Sequence, residues 1–454
     1  MCGARRCDAR DAPSSGCAGQ EDSQPRWLPL HRPWRRRGAD RRGRDRRVVR
    51  ARRDRRGTLN LFVRFIAPDH PAVVRQNFDR LVTARLISNA LYRYSPPFVA
   101  VIARGLDVTV VQVGTALMIA EFASLLSPVI GRRIDRANRV AAMMLGMSLL
   151  VLGAAVAAAS PHIVMFTAAV FLLNASKVVF DTGFIVWVND HVPYERRGEV
   201  VGVIETSWAL GLLLGVSTMG LVTSLVSWRT GLGVGAAAMA ASTVAVVRGL
   251  PRREAHAPSA TGAGARIPRE GWFVVAAMFC LLGASQCVGI MFGPWFEDEF
   301  GWTAGILVGV IVALGVVELG ASIGSARVMD LWGKETSVRR GTALMVAAAV
   351  MMALAWSVPA PSVVALVLYM LGFEFAVVSI LPLAANITPG ASGAGLGMAV
   401  GAGTSGRAVL SFVSPWLYER SGPAAPAVLA AVLAASAFAL VTVYRRASAV
   451  QQLR

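Results

Sequence analysis

The sequence predicts an all-α integral membrane protein, with twelve transmembrane helices in two six-helix halves related by a parallel pseudo-repeat. Three observations support this prediction. Hydrophobic residues make up 55% of the 454-residue chain and charged residues only 16%, whereas a soluble domain averages about 25% charged residues. Apolar stretches recur that are long enough to cross a hydrocarbon core of about 30 Å. A short basic loop also occurs twice, at a fixed offset.

The chain opens with a basic tail, residues 1–57, that is rich in Arg, Asp, Gly and Pro. Such a composition predicts disorder. Much of the formal net charge of +19 lies in this tail, so the charge does not indicate a nucleic-acid partner. No apolar stretch follows the arginines, which argues against a secretory signal. The next methionine after Met1 is Met118, so a misassigned start, the alternative reading of the tail, would need a non-Met start codon.

Residues 58–80 predict an amphipathic lead-in, and twelve apolar spans follow it. Their predicted ranges are 81–104, 109–130, 140–160, 162–185, 199–224, 228–248, 272–294, 305–326, 341–358, 362–384, 393–414 and 424–444. The first six form an N-terminal half at 81–248 and the last six a C-terminal half at 272–446. A polar central loop at 249–271 joins the halves, and residues 447–454 form a short C-terminal tail.

The distribution of basic residues predicts the orientation in the membrane. Arg139, Arg253 and Arg340 lie in loops on one side, whereas the acidic run from Glu297 to Glu299 lies on the other. Cytoplasmic loops carry an excess of Lys and Arg, so the basic side is predicted to be cytoplasmic, with both termini. We therefore expect a multi-pass monomer in the cell (inner or plasma) membrane, with the lipid bilayer as its partner.

The duplicated loop relates the two halves. The stretch from Gly131 to Arg139 corresponds to the stretch from Ala326 to Lys334, so that Asp135 falls on Asp330. Further glycines pair at the same offset of 195 positions, namely Gly114 with Gly309, Gly202 with Gly397 and Gly211 with Gly406. Because six spans make up each half, both copies start on the same side of the membrane and the repeat is parallel.

The first copy of the loop resembles the Gly-x-x-x-Asp-Arg-x-Gly-Arg motif of the major facilitator superfamily, with Asn138 in place of the second glycine. Its matching residues are Gly131, Asp135, Arg136 and Arg139. The second copy keeps Asp330, Gly333 and Lys334. The resemblance implies a cytoplasmic latch between the halves. Asp190 and Arg197 are its expected partners, because charged groups at helix ends pair with one another and with the helix dipole.

The fifth span resembles the antiporter signature Gly-x8-Gly-x3-Gly-Pro-x2-Gly-Gly of drug/proton exporters in that superfamily. The matching residues are Gly202, Gly211, Gly215 and Gly220. Val216 replaces the proline and Met219 replaces a glycine. Such glycines let helices approach closely. Without the proline, no kink is expected here.

Ionisable residues within apolar spans are costly and are candidates for coupling or cavity roles. The candidates are Arg93, Glu121, Lys177, Asp181, Glu205, Glu318, Glu374 and Arg407, together with the polar Gln286. Only two of the 46 basic residues are lysines, Lys177 and Lys334. Asp181 follows Lys177 by one helical turn, which predicts an ion pair that opens when a proton or substrate binds. A static pair is the alternative.

Glu121, near mid-depth, or Asp181 is the predicted protonatable carboxylate. Arg93, on the neighbouring span, is the group that would instead keep Glu121 ionised. For Glu318, Glu374 and Arg407, the expectation is a static cross-helix network.

These features predict a secondary active transporter that works by alternating access, and the preferred function is proton-coupled efflux of an amphiphilic small molecule. One alternative is proton-symport uptake of a small metabolite, and another is a transporter-like receptor that moves no solute. An enzyme is not expected, because the sequence has no nucleotide loop and no Ser/His/Asp arrangement. Neither a cofactor nor a metal site is expected, since the five cysteines lack zinc-type spacing.

Overall fold

A computed structural model describes residues 61–126, 130, 138–192, 197–250, 267–388 and 392–452 of the chain. The basic tail and most of the central loop lie outside these residues, as do Gly131, Asp135 and Arg136 of the first motif copy. Every regular element of the described part is a helix. The α-helices are, in chain order, α1 (Ala72–Tyr94), α2 (Val99–Leu106), α3 (Val110–Glu121), α4 (Arg139–Ala159), α5 (Ile163–His191), α6 (Arg197–Leu210), α7 (Ser217–Leu225), α8 (Trp228–Gly249), α9 (Gly271–Phe300), α10 (Ala304–Trp332), α11 (Lys334–Leu354), α12 (Pro359–Asn386), α13 (Ser392–Ser421) and α14 (Ala424–Gln452).

Ten helical segments of the described part are long and apolar enough to cross a membrane, from Arg139–Ala159 to Ala424–Ser448. A shorter apolar helix precedes them, because α3 continues as a 3-10 helix to Leu126. α1 is the polar exception and carries Arg75, Asp79, Arg80, Arg85 and Arg93 in its sequence. With α1 and α3, the ten segments give the predicted twelve-helix architecture.

The first span differs from its predicted range. α1 begins at Ala72 rather than at residue 81, so it includes the second part of the predicted lead-in. The span breaks after Tyr94, where a 3-10 turn at Pro96–Phe98 leads into α2. Two consecutive prolines explain the break, because proline lacks the N–H that continues a helix and its ring clashes with the preceding turn.

The segment before α1 is held against that helix by a single carboxylate. Asp79 accepts hydrogen bonds from the backbone N–H groups of Leu61, Phe62 and Val63, at 3.1, 2.8 and 2.8 Å. Its buried side chain therefore folds the lead-in back along the start of the helix.

The fifth span contains a π-helical segment, Gly211–Val216, between α6 and α7. This segment covers the position at which Val216 replaces the expected proline. The sequence predicts no kink here because the proline is absent, and it did not predict the π segment. A π turn is a local irregularity often found at functional sites. Here it begins at one signature glycine and includes a second, Gly215.

Glycine contacts repeat between the halves. A Cβ added to Gly146 on α4 would collide with Phe180 on α5, and a Cβ added to Gly341 on α11 would collide with Gly372 and Ala376 on α12. Gly146 and Gly341 are 195 positions apart. The two halves thus pack equivalent helices through equivalent glycines, which confirms the parallel pseudo-repeat.

The halves meet along three seams, where α3 packs against α13, the 3-10 turn at Pro96–Phe98 and α2 pack against α9, and α10 packs against the π segment and α7. A glycine allows close approach at each seam. A Cβ on Gly114 would meet Ser411 and Pro415, one on Gly293 would meet Pro97, and one on Gly315 would meet the Leu213 backbone.

We name the two ends of the bundle by their charges. The basic side is the end at which α1 begins and α8 ends, with Arg75 and Arg248. The acidic side is the end at which α9 ends, with the residues from Glu297 to Glu299. Large apolar side chains such as Leu145 within α4 and Val316 within α10 face outward between these ends, each at 56% exposure, as expected of a surface that contacts lipid.

Candidate functional site

An aromatic pair lies at the centre of the candidate site. The rings of Tyr92 on α1 and Trp208 on α6 are 6.0 Å apart, and three cations surround them. The Lys177 ammonium lies 5.6 Å from the Tyr92 ring and 5.9 Å from the Trp208 ring. Arg93 lies 4.7 Å from the Trp208 ring, and Arg407 lies 5.5 Å from the Tyr92 ring. These distances are within the range of cation–π attraction.

Ion pairs radiate from this aromatic centre and form what we call the charge network. Its nine members are Arg85, Arg93, Glu121, Lys177, Asp181, Glu205, Glu318, Glu374 and Arg407. Eight of the nine are the ionisable candidates of the sequence, which the structure brings together. The ninth, Arg85, was missed. A signal for it exists, since Arg85, Asn89 and Arg93 are spaced by four residues and so share one face of α1.

The part of the network nearer the basic side lies within the N-terminal half. Arg85 donates to Glu205 at 3.1 Å and to the Ile204 carbonyl at 2.9 Å, and its Nε lies 3.6 Å from Asp181. The side chain of Glu205 is 55% exposed and that of Asp181 is 26% exposed. Solvent can therefore reach this part of the network.

The predicted Lys177–Asp181 pair is present. The Lys177 ammonium donates to Asp181 at 2.5 Å and to the Asn89 carbonyl oxygen at 2.8 Å. The Asn89 amide nitrogen in turn donates to Ser207 at 3.3 Å. The buried Lys177 on α5 therefore hydrogen-bonds to its own helix and to Asn89 of α1, which in turn hydrogen-bonds to α6.

Glu121 connects the two halves. Its carboxylate accepts hydrogen bonds from the Tyr92 hydroxyl at 2.7 and 3.0 Å, and Arg407 of α13 donates to it at 3.2 and 3.3 Å. Arg93 had been predicted as its cationic partner, and that prediction is wrong. Adjacent residues on a helix point about 100° apart, so Tyr92 and Arg93 face different neighbours.

Arg93 instead pairs with the other half through Glu318 on α10. Its guanidinium donates two hydrogen bonds, at 2.6 and 2.7 Å, to a carboxylate with no exposed surface. Glu374 on α12 interacts with both of these groups and accepts a hydrogen bond from Ser322 at 3.2 Å. Arg93 is therefore the shared cationic partner of two buried carboxylates, Glu318 and Glu374.

The charges of the network do not cancel. It holds four cations, on Arg85, Arg93, Lys177 and Arg407, against five carboxylates. Arg407, Lys177 and Arg85 each have a carboxylate partner in contact, and Arg93 occupies both oxygens of Glu318. The surplus carboxylate is Glu374, which is 3% exposed. A buried charge without its own counter-ion is strongly unfavourable, which favours a bound proton or cation there.

Gln286 is the polar cavity candidate of the sequence. It lines a narrow pocket together with Tyr92 and Glu121. Its amide nitrogen donates to Ser411 at 2.8 Å, which orients the side chain.

The loop motif is described only in part. Arg139 is buried, with 1% of its side chain exposed, and its Nε lies 3.0 Å from Asp190 of α5. Asp190 therefore contacts the motif, as expected. The side chains of Arg197 and Asp330 lie outside the described residues. Gly333 has a φ of 81° just before α11, a left-handed conformation that favours glycine, and Lys334 begins the helix.

The signature glycines of the fifth span have unequal surroundings. Gly211 and Gly215 face α1, where added Cβ atoms would meet Asn89 and Ala90. Gly220 faces Phe98 and, across the seam between the halves, Val308. Gly202 has open space instead. Three of the four glycines thus allow the close helix approach that the signature predicted.

Two polar contacts join the halves at the acidic side, and the sequence did not predict them. Arg104 donates to Glu297 at 2.6 Å, and the backbone N–H of Val111, in the first turn of α3, donates to Glu419 of α13 at 3.1 Å. Within the described residues, the ion pairs between the halves lie at mid-depth and at this side.

The chain matches a known family and is similar to solved structures. The sequence model of the Major Facilitator Superfamily matches residues 81–409. The uncharacterized MFS-type transporter YwfA of Bacillus subtilis (strain 168) is 28% identical over 95 residues, which are 21% of this chain and 23% of that protein. The match therefore spans about a quarter of the relative's length.

Two solved structures show the same fold. A bacterial homologue of the human lysosomal transporter Spinster, in an inward-facing and unoccupied conformation, has a TM-score of 0.59 and 11% identity, and the match covers 82% of this chain and 94% of that chain. The transporter FucP in the outward conformation has a TM-score of 0.55 and 15% identity, with 81% and 98% covered.

Proposed function

The chain belongs to the Major Facilitator Superfamily and is therefore a membrane transporter that works by alternating access, and from this premise we propose that it exports an amphiphilic small molecule in exchange for protons. The surplus carboxylate of the charge network is the observation that carries the proposal. Five carboxylates face four cations, and Glu318 and Glu374 are almost completely buried beside one arginine. A proton shared by these two carboxyl groups would balance the network.

Protonation acts on contacts that join the halves. A proton on Glu121 would weaken its attraction to Arg407, and a proton on Glu318 would weaken its attraction to Arg93. Both pairs connect the N-terminal half to the C-terminal half. A ligand or proton shifts a conformational equilibrium only by binding its states unequally. A carboxylate paired with an arginine binds a proton less tightly than an unpaired one. Protonation of these carboxylates would therefore shift the equilibrium between conformations in which the pairs are formed and broken.

The direction of transport rests on the fifth span. Its glycines resemble the exporter signature, and they allow the π segment and α7 to approach α1, the 3-10 turn at Pro96–Phe98, and α10. We further propose that the basic side is cytoplasmic, with both termini, that the protein acts as a monomer in the plasma membrane, and that residues 81–248 and 272–446 are the two rocking halves.

Uptake of a small metabolite by proton symport is the second candidate, because the same carboxylates would serve either direction. The sign of coupling separates the two. An exporter moves its cargo against the flow of protons, and a symporter moves it with that flow. A receptor that moves no solute would show no net flux in either arrangement.

Gradient-driven flux in proteoliposomes tests the proposal. A thermal-shift screen of lipophilic cations, sugars and carboxylates on the purified protein first selects a cargo. Its flux is then measured with the pH gradient in each direction, in the wild type and in Glu121→Gln, Glu374→Gln and the exposed control Glu299→Gln. We expect the gradient to drive flux in the wild type and the control, and to lose its effect in one or both network variants. An unchanged response in both variants would show that neither carboxylate carries the proton.

A further inference from the structure

The repeat reveals two arginines on an outer helix of the C-terminal half. α4 and α11 are both 21 residues long and correspond end to end at the offset of 195 positions. Both are apolar enough to cross a membrane. Arg339 and Arg340 of α11 fall on Met144 and Leu145 of α4. One half therefore has two cations where the other half has two apolar side chains.

The burial of the two helices shows which way these residues face. From Ser337 to Leu354, each position of α11 has the same burial as its equivalent on α4. Leu145 is 56% exposed, and its equivalent Arg340 is exposed as well. An exposed stripe continues from Arg340 along one face of α11, at a spacing of three or four residues: Ala343, Ala347, Val350 and Leu354. On a helix that crosses the membrane, this stripe faces lipid.

Both arginines lie within reach of the lipid headgroups on the basic side. α11 begins at Lys334, and a rise of 1.5 Å per residue puts Arg339 about 8 Å along the helix. A helix of about 20 residues matches the thickness of the hydrocarbon core. Long basic side chains extend from such a depth to the headgroups while their apolar stems stay in contact with lipid or protein.

Neither guanidinium has a polar partner among the described residues. Arg339 lies over the Phe438 ring of α14, at 5.0 Å, and its Nε is buried without a hydrogen bond. Arg340 lies over the Trp332 ring, at 4.1 Å, and Trp332 is 43% exposed. A guanidinium stacks on an aromatic ring through its face, whereas its five N–H donors lie in its plane. The two rings thus hold the cations and leave in-plane donors for an acceptor.

The nearest carboxylate in the sequence does not neutralise Arg339. Glu335 precedes it by one helical turn, a spacing that allows an ion pair, but no ion pair joins the two. Glu335 interacts instead with Tyr444 of α14. Arg445, which is exposed, follows Phe438 by two turns of α14 and adds a further positive charge toward the basic side. The surroundings of the two arginines therefore favour an anion.

The geometry points to a binding site for an anionic phospholipid, whose phosphodiester accepts hydrogen bonds from Arg339 and Arg340 and whose acyl chain lies along the exposed stripe of α11. Arginine suits phosphate oxygens because its donors form a planar fork. Ala347 leaves room for the chain where α4 has the larger Leu152. Because α11 contributes no member of the charge network, the site does not rest on the proposed function.

Binding of matched probes to the purified full-length chain tests the site. Dioleoyl phosphatidylglycerol and dioleoyl phosphatidylcholine share their chains and differ in headgroup charge, and glycerophosphoglycerol is the first headgroup without chains. The midpoint concentration for the shift in Tm is measured for each probe in one detergent. Arg339→Met/Arg340→Leu gives α11 the residues of α4 and should fold. The control, Arg75→Gln/Arg248→Gln, removes two exposed charges from the basic side of the other half.

We expect phosphatidylglycerol to act at a lower concentration than phosphatidylcholine, and glycerophosphoglycerol to have no effect. Arg339→Met/Arg340→Leu should raise the phosphatidylglycerol midpoint at least about tenfold, because each arginine near an anionic lipid surface adds to the affinity. The Tm without lipid should be unchanged or raised. The control should stay within about twofold of the wild type.

Arg340→Leu alone keeps the test decisive if the double variant does not fold, since it changes only the exposed member. It should raise the phosphatidylglycerol midpoint severalfold. Equal action of the two lipids on the wild type, or equal midpoints in the arginine variants and the control, would overturn the site. A shift by glycerophosphoglycerol as large as that by the lipid would also overturn it, because the arginines would then bind a free phosphodiester and not a lipid.

Discussion

The guanidinium of Arg93 on α1 donates two hydrogen bonds to the carboxylate of Glu318 on α10, and this pair joins the two halves inside the membrane. Two-pronged contacts between a guanidinium and a carboxylate are among the strongest polar interactions in proteins. Glu318 has no exposed surface, so water does not reach its carboxylate to replace the contact with Arg93. We expect its strength to influence the balance between conformations.

Replacing Arg93 by methionine should destabilise the protein strongly. Removing one partner of a buried pair leaves an uncompensated charge and costs about 3–5 kcal/mol, whereas apolar replacement of both partners is often neutral. We therefore expect Arg93→Met to lower Tm by several degrees, and Arg93→Met/Glu318→Met to recover most of that loss while transport stays absent. Tm and flux are measured on each variant. Arg104→Met serves as the control, because its side chain is 63% exposed and surface pairs contribute about 1 kcal/mol or less. An unchanged Tm in Arg93→Met would contradict the expectation.

The sequence identified Arg93 but could not identify its partner. Glu318 lies 225 positions away in the other half, and no local spacing relates the two residues. Lys177 and Asp181 were predicted together because they are four residues apart on one helix, where geometry alone places side chains in contact. The same limit explains the wrong pairing of Arg93 with Glu121. Neighbouring spans suggested a contact, but the helix rotation that decides it depends on packing.

Lys177→Arg tests whether the buried lysine changes its state during transport. An arginine keeps its proton and is larger, whereas a lysine can release its proton when buried. If Lys177 exchanges partners during the cycle, Lys177→Arg should fold normally and lose at least about tenfold in transport rate, a change of about 1.4 kcal/mol in the barrier. Flux and Tm are measured together. Wild-type flux in Lys177→Arg would support the static ion pair instead.

The repeated loop motif predicts unequal roles for its two aspartates. The first copy keeps more of the motif than the second, so we expect Asp135→Asn to abolish transport and Asp330→Asn to reduce it less. Both variants should still reach the membrane, which is measured by quantifying the protein in membrane fractions. Equal flux in Asp135→Asn and the wild type would contradict the proposed latch.

Regular features of the chain could be read from the sequence, and irregular ones could not. Composition and spacing predict the span lengths, the parallel repeat and the set of ionisable residues within the apolar spans. The π segment at Gly211–Val216 does not, because an extra residue in a helical turn is stabilised by the neighbours that pack against it. The narrow pocket beside Glu121 and Gln286 likewise depends on how five helices meet.

A pair of glycines related by the repeat offers a matched test of the seam between the halves. Gly114 and Gly309 are 195 positions apart, but their surroundings differ. A Cβ on Gly114 would meet the Ser411 carbonyl and Pro415 of the other half, whereas nothing lies within 4 Å of a Cβ on Gly309. The same substitution should therefore have opposite outcomes.

Gly114→Ala overpacks the seam, which typically costs about 1–3 kcal/mol, and should lower Tm and favour separation of α3 from α13. Gly309→Ala fills open space on a helix and should leave Tm unchanged or raise it, because alanine is the better helix former by about 1 kcal/mol. Tm of the two purified variants, measured in one detergent, decides the comparison. Equal shifts would mean that the seam is looser at Gly114 than its contacts imply.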